Sequence, residues 1–223
     1  MHQRKSKKVL IYFFLLFLVG SINNIELNNV NFGKITDITI TGLEDNNNLV
    51  LLKEIKKLNL RNIFSINEKE IINQINSNNV VEEFRVFKRY PSSLDVNVEK
   101  TKFLARVNYQ GKIFILGSNG KLSSNNFSNS QLPFIFGQIN IAEFLNIKKI
   151  VDQSKFSYDE IKNLYFFSSK RWDLKLKNDV LIKLSKNHTK ESLELAFEFL
   201  QNNDFRDIKI IDTRVKNQII VHD

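Results

Sequence analysis

The sequence contains no cysteine and only three histidines, two prolines and seven glycines among its 223 residues. Without cysteine the chain forms no disulfide and has no zinc-thiolate site, iron–sulfur cluster or thiol nucleophile. The histidines (His2, His188 and His222) lie far apart and form no i, i+4 pair, which argues against a histidine-rich metal site. So little proline and glycine also excludes a collagen-like or linker-like chain. Few residues are left for catalysis, and no cofactor is expected.

Positive charge is concentrated at the amino terminus. The formal net charge is +9, and four of the positive charges fall within the first eight residues, on Arg4, Lys5, Lys7 and Lys8. Nucleic-acid binding would require a basic stripe with interleaved aromatic side chains on one element, whereas the other basic pairs of this chain are scattered. The charge pattern therefore does not predict a nucleic-acid partner.

An uninterrupted apolar segment follows the basic cluster directly. Its residues 9–19 read VLIYFFLLFLV, and the following residues extend the segment to position 25. A bilayer core requires about 20 helical residues, so residues 9–25 would form a short membrane span. Cations flank the segment on one side only, which places residues 1–8 in the cytoplasm and exports the rest. The residues predicted to lie in the membrane are Val9, Leu10, Ile11, Tyr12, Phe13, Phe14, Leu15, Leu16, Phe17, Leu18 and Val19.

A cleaved signal peptide is the alternative interpretation of the same segment. A basic region, an apolar region of signal-like length and the small residues of Val19-Gly20-Ser21 near a potential cleavage site fit that pattern as well. Hydropathy does not separate the two. Both place the bulk of the protein outside the cytoplasmic membrane.

The first exported segment shows the order strand, helix, helix, strand, strand. After a spacer over residues 26–34, ITDITITGL (35–43) alternates like a strand and stops at Gly42. Residues 49–57 have helical spacing, and Asn67 with Glu70 marks the start of a second helix. Two strands are predicted over residues 80–90 and 93–100. This order predicts an α+β layer arrangement.

The second half is predicted to consist mostly of strands, with two helices. Asn119-Gly120 is a strong signal for a hairpin between residues 112–116 and 121–123. Helices are expected over 142–155 and 190–202, a meander over 161–167, 172–176 and 180–184, and closing strands over 208–212 and 218–221.

Several motifs, taken in order, resemble the bacterial cell-division family FtsQ, called DivIB in other lineages. The motifs are ITDITITGL, FKRYPSSLDVNVEK (87–100), GSNGKL (117–122) with LPFIFG (132–137), KRWDLKLKNDVLIKL (170–184) and IIDTRVKNQIIV (210–221). Both prolines, Pro91 and Pro133, fall where the family pattern has them, whereas Asp179 replaces a usual glycine.

The resemblance implies an architecture for the whole chain. We expect a cytoplasmic tail over residues 1–8, a transmembrane helix over 9–25 and a juxtamembrane spacer over 26–34. A POTRA (polypeptide-transport-associated) domain of order β-α-α-β-β would follow over 35–101, and a mostly antiparallel β domain with two helices over 102–223. In sum, the predicted fold is α+β with a single amino-terminal transmembrane helix.

The resemblance also implies a function without catalysis. Family members recruit and regulate septal proteins, and their carboxy-terminal strands bind the FtsB subunit of the FtsB–FtsL complex, a mode that corresponds to β-strand addition at a sheet edge. The POTRA domain would contact other septal membrane proteins. Carried over by position, the partner-binding residues would be Arg171, Arg214, Val215, Asn217, Ile219 and Val221.

These residues also have structural interpretations that the sequence leaves open. Arg214 could form a structural ion pair with Asp212 or Asp173, and residues 219–221 could be buried in the core on one face of their strand. A POTRA-bearing factor for protein assembly or translocation is the alternative function, and a secreted cell-wall hydrolase is a third. Ser118 and Lys121 match the Ser-x-x-Lys pattern of penicillin-recognising enzymes, but their Asn-Gly centre indicates a turn, and no other element of those enzymes is present.

Overall fold

The protein folds into two units with five helices and twelve strands among the residues that the structure describes. The structure is a computed structural model, and it describes residues 7–22, 34–58, 60, 63–124, 131–201 and 208–222. Residue contacts group Met1–Ser77 with Phe84–Val98 in the first unit, and Asn78–Glu83 with Glu99–Asp223 in the second. The α+β class predicted from the sequence is confirmed.

Helix α1 (Lys7–Ile22) contains the apolar segment. At 1.5 Å per residue its 16 residues extend over about 24 Å, and the large side chains from Val9 to Phe17 are exposed. Among the described residues, none of the helices combines the length and the apolar character that crossing a bilayer requires. The predicted span over 9–25 coincides with this helix as far as Ile22, and residues 23–25 lie outside the described part.

Besides α1, the first unit contains a three-stranded sheet and two helices in the predicted order. The elements are β1 (Asp37–Thr41), α2 (Asp45–Lys57), a 3-10 turn (Ile63–Ser65), α3 (Glu68–Ser77), β2 (Val81–Arg89) and β3 (Ser93–Lys100). The strand order is β1-β3-β2, and β1 runs parallel to β3 with Ile38 opposite Leu94 and Ile40 opposite Val96. This sheet and its helices therefore have the β-α-α-β-β order.

Helices α2 and α3 each direct one apolar face to the core, although Ile72 of the predicted apolar set stays exposed. Leu51 and Ile55 of α2, and Ile71 and Ile75 of α3, are fully buried. Helix α2 begins at Asp45, four residues before the predicted start, because its first turn, Asp-Asn-Asn-Asn, carries no apolar residue to reveal the period. At α3, the Asn67 amide donates to the Glu70 carboxylate (2.8 Å), so the predicted start is confirmed.

The second unit contains one nine-stranded sheet with two helices. Its strands are β4 (Phe103–Tyr109), β5 (Lys112–Gly117), β6 (Leu122–Ser123), β7 (Phe134–Phe136), β8 (Ile161–Phe166), β9 (Trp172–Leu176), β10 (Leu181–Lys183), β11 (Ile210–Asp212) and β12 (Ile220–His222). Helix α4 (Ile141–Asp152) and a 3-10 turn (Tyr158–Glu160) precede β8, and helix α5 (Thr189–Gln201) precedes β11. The strand order is β12-β11-β10-β9-β8-β7-β4-β5-β6.

The sheet of the second unit is more mixed than the mostly antiparallel arrangement predicted. The pairs β4–β7, β7–β8 and β10–β11 are parallel, and the other five pairs are antiparallel. Parallel neighbours require a crossover, and α4 and α5 provide it between β7 and β8 and between β10 and β11. The predicted meander β8-β9-β10 and the Asn-Gly hairpin β5-β6 are confirmed.

Both helices of the second unit pack on one face of its sheet. Phe144 and Ile147 of α4 and Leu193 of α5 are fully buried in one core with a cross-strand row formed by Ile135, Leu164, Leu174, Ile182 and Ile211. The opposite face carries a second row, formed by Phe136, Tyr165, Asp173, Lys183, Asp212 and Ile220. We call this second face the outer face.

Two glycines of the sequence motifs occupy positions that no other residue can fill. Gly42 (φ +108°) ends β1, and a Cβ placed there would lie 1.7 Å from the carbonyl oxygen of Val98. Gly137 (φ +105°) follows β7, and a Cβ there would lie 2.1 Å from the carbonyl oxygen of Phe166. Each glycine lets two backbone segments of one unit approach closely.

Candidate partner-binding site

The carboxy-terminal strand β12 forms one edge of the nine-stranded sheet. It pairs antiparallel with β11, with Ile211 opposite Val221 and Asp212 opposite Ile220, and in the described part of the chain β11 is its one strand neighbour. All three residues of β12 are exposed, and Ile220 and Val221 leave 45% and 40% of their surface accessible. An edge strand presents unpaired N–H and C=O groups to any chain that approaches it.

A tight turn delays the start of β12 by two residues relative to the prediction. Asn217 adopts the left-handed conformation (φ +57°), and the amide of Gln218 donates to the carbonyl oxygen of Val215 (3.2 Å). Asparagine tolerates this conformation better than most residues, which explains its presence here. Asn217, predicted as a contact residue, therefore shapes the turn between β11 and β12, and Val215 in the same turn is exposed.

Arg214 forms an ion pair with the buried carboxylate of Asp212. Its Nε lies 2.9 Å from both carboxylate oxygens and its Nη2 lies 2.6 Å from one of them, while the backbone amide of Arg214 donates to Oδ1 (3.1 Å). These hydrogen bonds hold the pKa of Asp212 below its usual range and raise the pKa of Arg214. The side chain of Arg214 nevertheless remains 46% exposed.

Arg171 pairs in the same manner with Asp173. Its Nε and Nη2 donate to the two carboxylate oxygens (3.0 and 3.3 Å), and its guanidinium lies 4.2 Å from the centre of the Phe167 ring. Burial raises the pKa of Asp173 and outweighs the hydrogen bond from Arg171. Asp173 lies three strands from the sheet edge at β12, and Asp212 lies one strand from it, which accounts for the stronger effect of burial on Asp173.

The outer face brings these two ion pairs into one row. Lys183 stands opposite Asp173 on one side and opposite Asp212 on the other, and Asp212 stands opposite Ile220. Each arginine donates hydrogen bonds to its carboxylate, which holds both guanidinium groups at this face. The result is a charged row that ends at the exposed edge strand, with one positive charge in excess. Each guanidinium has five N–H donors, more than its carboxylate uses.

The other predicted contact residues differ in how accessible they are in the structure. Ile219 is partly buried and packs against the core, as the structural interpretation anticipated. Val221 points to the same face as Ile219 but remains accessible at the edge. Ile220, which is absent from the predicted set, lies on the outer face opposite Asp212. Its orientation follows from its pairing with Asp212, which the alternation of side chains along β12 alone does not reveal.

The residues considered for catalysis are engaged in structural contacts. Ser118 Oγ donates to a carboxylate oxygen of Glu82 (2.7 Å), and Asn119 and Gly120 form the hairpin turn before β6. The ammonium of Lys121 lies 3.3 Å from the carbonyl oxygen of Asn78. Over the described part of the chain, no three histidine or carboxylate side chains are grouped so that they could hold a metal ion.

Comparison with known proteins identifies relatives along most of the chain. A family model for the POTRA domain, FtsQ-type, matches residues 33–100, and one for cell division protein FtsQ/DivIB, C-terminal, matches residues 99–214. Cell division protein FtsQ of Rickettsia bellii is 23% identical over 194 residues, which cover 84% of this chain and 72% of that protein. Cell division protein DivIB of Staphylococcus aureus is 27% identical over 111 residues, 48% of this chain and 25% of that protein.

The chain thus spans a quarter of the staphylococcal protein and nearly three quarters of the rickettsial one. Among solved structures, the major extracytoplasmic domain of DivIB from Geobacillus stearothermophilus aligns with a TM-score of 0.33 and 11% identity, covering 47% of this chain and 98% of that domain. The carboxy-terminal family model alone matches more than half of the chain. The resemblance found in the sequence is therefore confirmed, and the chain belongs to the FtsQ/DivIB family of bacterial cell division proteins.

Proposed function

We propose that this protein is a non-enzymatic scaffold of the bacterial division machinery that binds the FtsB–FtsL complex by β-strand addition to β12. The membership of this chain in a cell-division family supports a role in cell division. The observation that carries the binding mode is the position of β12 at a sheet edge with its three residues exposed. Backbone groups of β12 would provide hydrogen bonds to the partner strand, and side chains beside it would select that strand.

The charged row on the outer face supports an acidic residue in the partner. Arg214 and Arg171 are each held by a buried carboxylate, so their orientation is fixed before a partner arrives. An acidic side chain next to the added strand would accept hydrogen bonds from the remaining donors of Arg214, which adds direction as well as attraction. Arg171 lies three strands from the edge and would contact a part of the partner that extends over the outer face. Val215, Ile220 and Val221 would supply the apolar contacts, and Asn217 would shape the turn beside them.

The proposed setting is the inner membrane at the division septum. Residues 9–25 would anchor the chain as a single-pass span, residues 1–8 would remain in the cytoplasm, and residues 26–34 would connect to the periplasmic part. Residues 35–101 would form the POTRA domain that contacts other septal membrane proteins, and residues 102–223 the β domain. The flanking cations and the uninterrupted apolar run of residues 9–19 support the anchor.

Co-purification from membranes tests the proposed partner site. We expect Ile220→Glu to abolish recovery of the FtsB–FtsL complex, because it places a charge on the edge strand where the partner strand would pair. Arg214→Gln should reduce recovery about tenfold, since a lost charged contact weakens binding by 1.4 kcal/mol or more. Ile113→Glu is the matched control, because Ile113 is equally apolar and more exposed but lies on β5, toward the opposite end of the same sheet.

The melting temperatures of the three variants show whether a loss of binding comes from the site or from unfolding, because a variant that only loses the site melts like the natural chain. Unchanged recovery with Ile220→Glu, or an equal loss with Ile113→Glu, would rule out β12 as the site.

A further inference from the structure

Strand β2 forms an edge of the three-stranded sheet and has a polarised sequence. In the strand order β1-β3-β2, its one strand neighbour among the described residues is β3. The strand reads VEEFRVFKR, so it begins with two acidic residues and ends with two basic ones. A strand with opposite charges at its two ends is complementary to a second copy of itself that runs antiparallel.

The two faces of β2 differ in exposure. Phe84, Val86 and Lys88 are half-buried, whereas the alternate residues Glu83, Arg85, Phe87 and Arg89 are exposed. Phe87 keeps 47% of its surface accessible in the middle of the strand. Phe87 lies between Arg85 and Arg89 on the exposed face of this edge strand, where a second strand could contact it.

An apolar groove of about 470 Å³ lies beside the half-buried face of β2. It is lined chiefly by Ile71 and Ile72 of α3, by Leu94 of β3, and by β2 itself, and the ion pair between Lys88 and Glu68 (2.6 Å) lies at it. Phe87 belongs to the other face of β2 yet also lines the groove, which indicates that the groove reaches the edge of the strand.

We propose that β2 pairs antiparallel with β2 of a second copy of this chain, with Val86 opposite Val86 at the two-fold axis. On the exposed face this register places Arg85 opposite Phe87 twice and Glu83 opposite Arg89 twice. The first pairing joins a cation to an aromatic ring, and the second joins opposite charges. Arg89 also pairs with Asp95 of β3, and its guanidinium has donors for both carboxylates.

The charges select this register over its neighbours. A two-fold axis normal to the sheet leaves the same face of both copies on the same side. Each register then has one residue of β2 opposite itself at the axis, and the neighbouring registers have the preceding or the following residue there. A centre at Arg85 would oppose Arg85 to itself, and a centre at Phe87 would oppose Arg85 to Arg89. Like charges in directly opposite positions are destabilising. The centre at Val86 is flanked on both sides by registers that bring arginines together.

The groove provides an apolar surface for the second copy next to the paired β2 strands. In the proposed register Phe84 and Val86 of the second copy point to the same side as their counterparts, where α3 and its Ile72 border the groove. A seam of one short strand per copy buries less surface than a stable dimer requires, so the pairing is weak and reversible. It does not involve β12, and it is independent of the proposed partner binding.

Cysteine cross-linking tests the pairing, because the natural chain contains no cysteine. The full-length chain carrying Val86→Cys, purified in detergent micelles and oxidised mildly, should form a disulfide-linked dimer. Directly opposite residues of antiparallel strands have Cα atoms 4.5–5.5 Å apart, within the range of a disulfide. The matched control is Val50→Cys, a more exposed valine on α2 of the same unit, which random collisions would cross-link at least as readily. We expect about fivefold more dimer from Val86→Cys than from this control.

A second pair of variants tests the register without changing a half-buried residue. A mixture of Arg85→Cys and Phe87→Cys chains should cross-link more than either variant alone, because only the mixed pair is directly opposite. Each residue lies more than about 7 Å from its own copy in this register, beyond disulfide reach. Equal dimer yields from Val86→Cys and Val50→Cys would overturn the pairing, and a mixture no better than its components would overturn the register.

Discussion

Gly137 and Phe166 are in backbone contact, and the contact leaves no room for a side chain at position 137. A Cβ on Gly137 would lie 2.1 Å from the carbonyl oxygen of Phe166, and the φ of +105° is itself unfavourable for any residue with a Cβ. The glycine that ends the Leu-Pro-x-x-x-Gly motif is thus explained by the packing of β7 against the end of β8.

Gly137→Ala should destabilise the second unit by more than about 3 kcal/mol, because a backbone clash is added to the left-handed strain. Gly111→Ala is the control: Gly111 also has a positive φ (+79°), but a Cβ there would have no neighbour within 4 Å, so only about 1–2 kcal/mol should be lost. Urea unfolding of both variants measures the difference. Equal losses would show that the contact with Phe166 relaxes at little cost.

Asp212 and Asp173 stand opposite the same lysine, yet their pKa values shift in opposite directions. The lowered pKa of Asp212 means that its carboxylate stabilises the fold above the unfolded pKa of about 3.9, and that this stabilisation is lost as the pH falls through the lower, folded pKa. For Asp173, the raised pKa means that stability is lost as the pH rises from about 3.9 through the folded pKa.

The two asparagine variants should therefore show opposite pH dependence. Asp212→Asn should cost about 1–3 kcal/mol at pH 7, and the cost should shrink toward pH 3. Asp173→Asn should cost less at pH 7, and its cost should grow as the pH falls, because the protonated native side chain no longer carries a buried charge. The free energy of unfolding, measured in urea between pH 3 and pH 7, decides the matter; parallel profiles would contradict these assignments.

Asp179 occupies a left-handed position (φ +64°) between β9 and β10, a conformation that glycine adopts most readily. Its carboxylate faces Lys162 (2.9 Å) and Lys175 (3.5 Å), and the hydrogen bond from Lys162 is the main reason for its lowered pKa. Asp179→Gly should leave the melting temperature within about 3 °C of the natural chain, because relief of backbone strain offsets the lost exposed ion pairs. Asp179→Val should melt clearly lower, since a β-branched residue is strained at positive φ. A large loss with glycine would mean that the ion pairs, and not the backbone, hold this turn.

Local patterns in the sequence were sufficient to predict the first unit. The alternation in 35–43 and 93–100, the helical spacing of Leu51 and Ile55, and the Asn67–Glu70 start each depend on neighbours within a few residues, and each predicted element is present in the structure. The Asn119-Gly120 hairpin was predictable for the same reason.

Features that depend on distant neighbours were not predictable from the sequence. Strand β7 has only three residues, and its parallel pairing with β4 and β8 requires partners about 30 residues away on either side. The ion pair of Arg214 with Asp212 was anticipated as one of two possibilities, but Lys183 between the two carboxylates depends on the crossover through α5. Which side of β12 faces outward depends on the pairing of Ile220 with Asp212 of β11, and alternation within β12 alone does not indicate that pairing.

Hydrogen–deuterium exchange on the β12 amides, with and without the FtsB–FtsL complex of the same bacterium, tests the central claim most directly. Neighbouring amides of β12 point alternately to β11 and to the open edge, and the amide of Val221 is the one between the two residues paired with Ile210 and Asp212. If a partner strand adds to this edge, the amide of Val221 should exchange at least tenfold more slowly in the complex, while the amides of edge strand β6 at the other end of the sheet keep their rates. Unchanged exchange across β12 in a complex that forms, or protection that appears elsewhere instead, would contradict the proposed mode of binding.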